Sequence, residues 1–311
     1  MSASRQETNT FDVAIIGGSN AGLSAALTLG RGRRNVVVID EDQPRNAPAS
    51  HAHNVFTRDG TPPGELRRIG REQLRAYGVQ FVNSRVLAAQ GDNGAFTLTL
   101  KNGQCFTAAR LLLATGVSDD LPDVPGLREL WGKRIFSCPY CHGWEVRDTP
   151  LAVLDRGNTA DSYARLIQNW SRDLVLLTGE NTCLTNGQRD DLNARGITVI
   201  EADVTRYESS KGELRALYLS DGQRLTRNAV FMRPPVRLQG NLHEQLGCAL
   251  SDDGTQVVVD EMGQTNVPGV YAAGDMISPL AAVVIAAASG TKAAGALNHE
   301  FVMSMQPQVL S

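Results

Sequence analysis

Cys138 and Cys141 stand two residues apart, with His142 directly behind them, in the string SCPYCHGWEV (residues 137–146). Three chemistries use a Cys-x-x-Cys-His: attachment of a c-type haem, half of a zinc site, or a redox disulfide. A fourth reading is two cysteines buried without chemistry. Zinc needs two more ligands at a short, regular spacing. No second Cys-x-x-Cys and no His-x-x-x-His occurs, so no metal site is expected. A c-type haem is attached after export, and the polar opening MSASRQETNTFDV lacks the apolar stretch of an export signal. Five cysteines, an odd number and widely scattered, do not describe a secreted disulfide framework. Cys105, Cys183 and Cys248 have no nearby partner in sequence and are read as structural. A reactive thiol pair in a reducing compartment is the best chemical reading, and it needs an electron carrier.

The elements that must position this pair begin at the other end of the chain. FDVAIIGGSNAGLSAALTLGRGRRNVVVID reads as strand, glycine turn, helix over Leu23–Leu29 and a second strand ending in Asp40. This is a dinucleotide-binding βαβ unit. Gly17 makes the turn, and Gly22 allows close packing of helix and strand. Gly18, Ser19 and Ala21 complete the stretch, Ser19 standing where the fingerprint has its middle glycine. The helix N-terminus offers N–H groups and a positive dipole end to a pyrophosphate, and Asp40 is placed to accept ribose hydroxyls. RLLLATGV (110–117) predicts a third strand, ending in a small-residue turn at Ala114, Thr115 and Gly116. NVPGVYAAGDM (266–276) predicts a further strand, with Gly274 and Asp275 placed to meet ribityl and phosphate oxygens. An alanine-rich helix is expected to follow over Leu280–Leu297.

Between them PLAVLDRGNTADSYARLI (150–167) and DLVLLTGEN (173–181) repeat the strand–turn–helix–strand plan. Proline-marked joints at 118–126 and 232–240 flank this inner copy. The expected architecture is α/β: two Rossmann-like three-layer dinucleotide-binding domains, the second inserted in the first. The expected boundaries are 1–120 and 241–311 for the outer domain and 121–240 for the insert. With 42% hydrophobic and 20% charged residues in 311, and a net charge of −3, the chain has ample core and no basic stripe for nucleic acid. Its longest apolar run, PLAAVVIAAASG, is too short to span a bilayer. No nucleic-acid or membrane partner is expected, and the expected location is the cytoplasm.

In this order the motifs resemble the thioredoxin reductase family of FAD-dependent disulfide oxidoreductases. The glycine fingerprint, LLLATG, CPYCHG, the inserted βαβ and GVYAAGD cover nearly the whole chain. GGSNAGL, TRDGTPP and CPYCHGWEVRD look most like the branch that includes oxidases of small dithiols. The resemblance implies FAD held by both pieces of the outer domain, a pyridine-nucleotide domain and a homodimer. It implies that Cys141 lies against the flavin, that Cys138 is the interchange thiol, and that His142 replaces an aspartate acid/base. Ser137 is expected to cap a helix that begins here, with Pro139 in its first turn; helix N-terminal N–H groups would lower a thiol's pKa. Tyr140 and Trp144 are read as packing aromatics. His51 and His53 are read as solvated loop residues that the resemblance places near the flavin.

Two departures bear on function. The inner fingerprint falls on Asp155 to Ala160, with Asp155 in place of its first glycine, and LLTGENTCLT offers no arginine for a 2′-phosphate. After Asp275 the chain has Ala281 and Ala282 where polar residues are expected. The reading is a flavin-dependent dithiol/disulfide oxidoreductase independent of NAD(P)H. Its partners would be a thioredoxin-like protein or a small dithiol or disulfide on one side. On the other would stand O₂, a ferredoxin or a second flavin. The alternatives are an NAD(P)H-driven thioredoxin reductase and an FAD-binding redox sensor without turnover.

Overall fold

A strand with no polar alternation must bury both faces, and β1 (Thr10–Ile16) does so, with Val13, Ala14 and Ile15 wholly buried. The computed structural model describes residues 9–304; the opening read above as lacking an export signal lies, through residue 8, outside the described residues. Gly17, at φ +109°, turns β1 into α1 (Asn20–Arg31). β2 (Val36–Asp40) runs parallel to β1, with Val13 opposite Val36. α2 (Pro63–Leu74), β3 (Gln80–Asn83), β4 (Val86–Gln90), β5 (Phe96–Leu100) and β6 (Cys105–Leu113) follow. The outer sheet runs β3-β2-β1-β6-β5-β4.

The chain leaves this sheet through β7 (Val117–Asp119) and α3 (Leu127–Leu130). It then builds β8 (Ile135–Phe136), the single-turn α4 (Pro139–His142), β9 (Leu151–Leu154), α5 (Ala160–Ile167), β10 (Leu174–Leu177), α6 (Asn186–Ala194) and β11 (Thr198–Ile200). An antiparallel meander, β12 (Val204–Ser210), β13 (Glu213–Leu219) and β14 (Arg224–Leu225), precedes β15 (Ala229–Met232). The inner sheet is parallel, in the order β11-β10-β9-β15-β8. β16 (Val236–Leu238) returns antiparallel to β7, Val236 opposite Asp119, so the two crossings between the sheets are hydrogen-bonded to each other. α7 (Leu242–Leu246), β17 (Val270–Ala272) and α8 (Val283–Ser304) complete the outer half, β17 pairing with β6.

Each sheet is a middle layer. One face of the outer sheet packs Val13, Ile15 and Leu112 against Ala25, Leu29, Ala293 and Leu297 of α1 and α8. The other packs Ala14, Ile16, Leu111 and Phe96 against Leu242 and Val257. α1 and α8 meet backbone to backbone: a Cβ on Gly290 would lie 2.1 Å from the Ala21 carbonyl oxygen. Among the described residues no helix is long and apolar enough to cross a membrane.

Three expectations need correction at element ends. The third strand runs over Cys105–Leu113, five residues earlier than its apolar core suggests, because its first half pairs antiparallel with β5. The last helix begins at Val283, since Gly274–Ile277 forms its own 3₁₀ turn, and it extends to Ser304. Ser137 caps nothing: the residue before α4 is Cys138, in extended conformation, with no side-chain cap.

Candidate active site

In a parallel sheet all the strand carboxyl ends open on one edge, where ligands bind. The order β2-β1-β6-β17 brings four such ends side by side. The residues after them line one cavity of about 360 Å³. Gly17, Gly18 and Ser19 come from the β1–α1 turn, Ala21 from the first turn of α1, and Asp40 ends β2. Thr115 and Gly116 follow β6, and Gly274 and Asp275 follow β17. Gly22 does not face the cavity; it lies beneath the turn, where a Cβ would meet the Gly17 carbonyl oxygen at 1.9 Å.

The cavity fits the dinucleotide implied by these residues. The first-turn N–H groups of a helix have no intrahelical partner, and those of α1 stand at Ser19–Ala21 on the cavity wall. Gly116, at φ +71°, has nothing within 4 Å of where a Cβ would sit, which leaves room for a close approach. Asp40 accepts from Arg71 Nη2 at 2.8 Å, so its charge is already paired. Asp275 accepts from Arg45 Nη1 at 3.0 Å. Arg45 is a site residue the sequence did not mark, since a single arginine in an irregular loop carries no periodic signal.

The disulfide lies on the same cavity although it belongs to the inner half. Cys138 and Cys141 are bonded, with Cα atoms 5.3 Å apart, and both line the cavity with His142. Pro139 fits the first turn of α4, where its missing N–H costs nothing. The His142 ring is stacked on Phe136, centroids 4.4 Å apart and 9° from parallel. Burial, and then the charge of His53, holds its pKa down at about 4, so the imidazole is neutral near pH 7. Both its ring nitrogens are buried without a partner. At that pKa the ring is a weak base while the disulfide is intact; a thiolate formed beside it would raise its proton affinity.

Tyr140 and Trp144 are not packing residues: they are 63% and 66% exposed. Tyr140 stands edge-on to Trp170, and Arg147 covers Trp144 at 3.8 Å. His51 and His53 both line the cavity, and His53 is no solvated loop residue. Its two ring nitrogens stand 3.6 Å from Asp59 and 3.5 Å from Glu145, so it ties the outer loop to the turn after α4. Cys105 and Cys183 are exposed free thiols and Cys248 is a buried one. Among the described residues no cluster has metal-ligand geometry.

The inner turn after β9 is occupied by its own side chains. Asp155 Oδ1 accepts the Gly157 N–H at 2.8 Å, and Oδ2 accepts from Arg233 Nη2 at 2.6 Å. The same Arg233 nitrogen donates to Thr159 Oγ1 at 2.8 Å, and the guanidinium lies over the Tyr163 ring. After β10, Arg156 pairs with Asp203 directly over Gly179. Asp155 is therefore no bare charge at this turn: Arg233 balances it, and its carboxylate already holds the Gly157 N–H.

The chain matches the family described as pyridine nucleotide-disulphide oxidoreductase over residues 11–290. It is 32% identical to a thioredoxin reductase, sirT, of Leptosphaeria maculans, over 93% of this chain and 94% of that protein. Among solved structures, an oxidoreductase from Agrobacterium tumefaciens superposes with a TM-score of 0.90 at 35% identity, covering 95% and 100% of the two chains. The structure of HlmI superposes at 0.88 with 39% identity, covering 97% and 95%.

Proposed function

From the premise that the chain belongs to the pyridine nucleotide-disulphide oxidoreductase family, and so is a flavin-dependent disulfide oxidoreductase, we propose that it passes electrons between a dithiol substrate and its Cys138–Cys141 pair without help from NADPH or NADH. The observation that carries this reading is the inner turn, where Asp155 takes the Gly157 N–H and is itself held by Arg233.

FAD is the cofactor the family implies, and Gly17 to Ala21, Asp40, Thr115, Gly116, Gly274 and Asp275 would hold it. Bound there, it supplies a two-electron carrier beside the disulfide. The protein's own residues do the rest. In the oxidising direction a substrate thiol attacks Cys138 Sγ while its proton passes to His142. The Cys138–Cys141 bond breaks, and its electron pair leaves on Cys141 Sγ. The new negative charge beside the ring raises its proton affinity, because an opposite charge within a few ångströms favours the charged form. The second substrate thiol then displaces Cys138, which takes up that thiol's proton. The substrate leaves as a disulfide, and the two electrons remain on the cysteine pair for onward transfer. Terminal acceptors consistent with this scheme are O₂, reduced to H₂O₂, a ferredoxin or a second flavin. The exposed Tyr140 and Trp144 beside the pair suit an apolar small dithiol or the face of a thioredoxin-like protein.

The test is anaerobic stopped-flow reduction of the flavin by NADPH, NADH, dithiothreitol and reduced ferredoxin in turn. Dithiothreitol is expected to bleach the flavin while micromolar NADPH and NADH do not. Rapid bleaching by either nucleotide supports the second reading, an NAD(P)H-driven reductase, which likeness to the thioredoxin reductase of Leptosphaeria favours. Asp155→Gly locates the cause: freeing the Gly157 N–H should raise nucleotide affinity by about 10-fold, the worth of one charge-assisted hydrogen bond.

A further inference from the structure

The loop after β2 places one guanidinium between two carboxylates that are far apart in the chain. Arg45 Nε and Nη2 donate to the two oxygens of Asp119, at 3.1 and 2.6 Å, while Nη1 donates to Asp275 Oδ2 at 3.0 Å. The Asp119 side chain is 9% exposed, and those of Arg45 and Asp275 are 23% and 22% exposed. All three residues line the cavity. Two carboxylates desolvated against one guanidinium are a poor source of net stability. What the arrangement supplies is position, because the planar fork of arginine fixes the angle as well as the distance of what it holds.

What Arg45 holds lies at two different places in the fold. Asp275 follows β17 and faces the cofactor cavity. Asp119 ends β7, one of the two strands that cross between the sheets, and is opposite Val236 of β16. The next residue, Asp120, accepts from Arg237 Nε at 2.9 Å, so the crossing is pinned on its far side as well. The inner half carries Cys138 and Cys141, and β7 and β16 are its covalent attachments to the outer half. The position of β7 therefore sets how the disulfide sits over the cavity.

We propose that Arg45 is a positioning residue that couples occupation of the cofactor cavity to the β7–β16 crossing, and so to the placement of the disulfide. A ligand that engages Asp275 restrains Arg45, and Arg45 restrains Asp119 and β7. The proposal rests on the reading that this cavity takes FAD.

The experiment compares wild type, R45Q, R45K, D119N and R45Q/D119N by FAD titration of the apoprotein and by amide hydrogen exchange with and without saturating FAD. Circular dichroism checks that each variant folds. In wild type, FAD is expected to slow exchange both in the Gly17–Gly22 turn and at residues 117–119. R45Q is expected to bind FAD roughly 10-fold more weakly, the size of one charge-assisted contact. At saturation it should keep the protection of the glycine turn and lose that of residues 117–119. R45K retains the charge without the fork and should also lose the β7 protection. D119N should match R45Q, and the double variant should be no worse than either single one, since both break the same link. D119N and R45K carry the test if R45Q does not fold. The proposal is overturned if folded variants retain FAD protection at β7, or if the effects of R45Q and D119N on FAD affinity add. Absence of FAD binding by wild type would remove the premise itself, an outcome distinct from tight binding without coupling.

Discussion

His142 has a ring that is stacked, buried and unpaired, and each of these properties has a measurable consequence. Its pKa lies near 4, against 6.5 for an exposed histidine, with burial the larger cause and the charge of His53 the smaller. Between these values the unfolded chain binds a proton that the folded chain does not. Stability is therefore fully present above pH 6.5 and falls as the pH drops toward 4, by about 3 kcal/mol if the whole shift is expressed. Denaturant midpoints of wild type at pH 7 and pH 5 should differ measurably more than those of His142→Gln. If His142 takes the substrate proton, the same replacement should slow dithiol-dependent flavin reduction by ~10²-fold or more. A change of only a few-fold would leave His142 as a packing residue on Phe136. The cysteines separate by trapping. Cys141→Ser should leave the Cys138 thiolate able to attack the substrate supplied as its disulfide, releasing one substrate thiol and keeping a mixed disulfide that mass spectrometry can see. Cys138→Ser should trap none and lose turnover; the reverse pattern would exchange the two roles.

At the scale of elements, the contact between α1 and α8 governs the cavity wall, because Ala21 is at once a lining residue and the point that Gly290 touches. Gly290→Ala puts a methyl into the Ala21 carbonyl. Overpacking of this kind costs typically 1–3 kcal/mol. The variant should unfold at a lower temperature than wild type and release flavin more readily, as a thermal melt followed by flavin fluorescence would show. What could be read of these elements in the sequence follows physical rules. Val13–Ile16, the glycine turn and Asp40 were legible because a strand buried on both faces and a turn with positive φ leave few residue choices. The Cys-x-x-Cys-His string was legible because its chemistry depends on spacing alone. β4 and the β12–β14 meander were not, since half-exposed strands mix polar and apolar residues much as loops do, whereas FTLTL in β5 does alternate as a strand should. Arg45, Arg233 and Phe136 were invisible for another reason. Each matters through a partner 70 or more residues away or through a ring stack, and neither leaves a local pattern.

For the whole molecule, the site exists only where the two halves meet: the outer sheet supplies the dinucleotide edge and the inner half supplies the disulfide. A ligand bound to the native state alone raises unfolding free energy by about 2.7 kcal/mol at a hundred times its dissociation constant. Added FAD should therefore raise the melting temperature of apoprotein. The gain should be smaller in Asp275→Ala, which removes a cavity residue without opening the α1–α8 contact. Differential scanning calorimetry at fixed protein concentration would read both. The same contact has a consequence for how the chain reaches its fold. α1 is made within the first thirty-one residues, and the helix it packs against begins at Val283. β6 likewise waits for β17, and the whole inner sheet is made between them. During synthesis the glycine–alanine face of α1 must stay unpartnered until the chain has grown past Val283. Pairings of such long sequence separation form slowly and leave apolar surface open to aggregation. The inner half, whose contacts are more local, would close first on the ribosome, so the disulfide turn takes shape before the cavity that serves it.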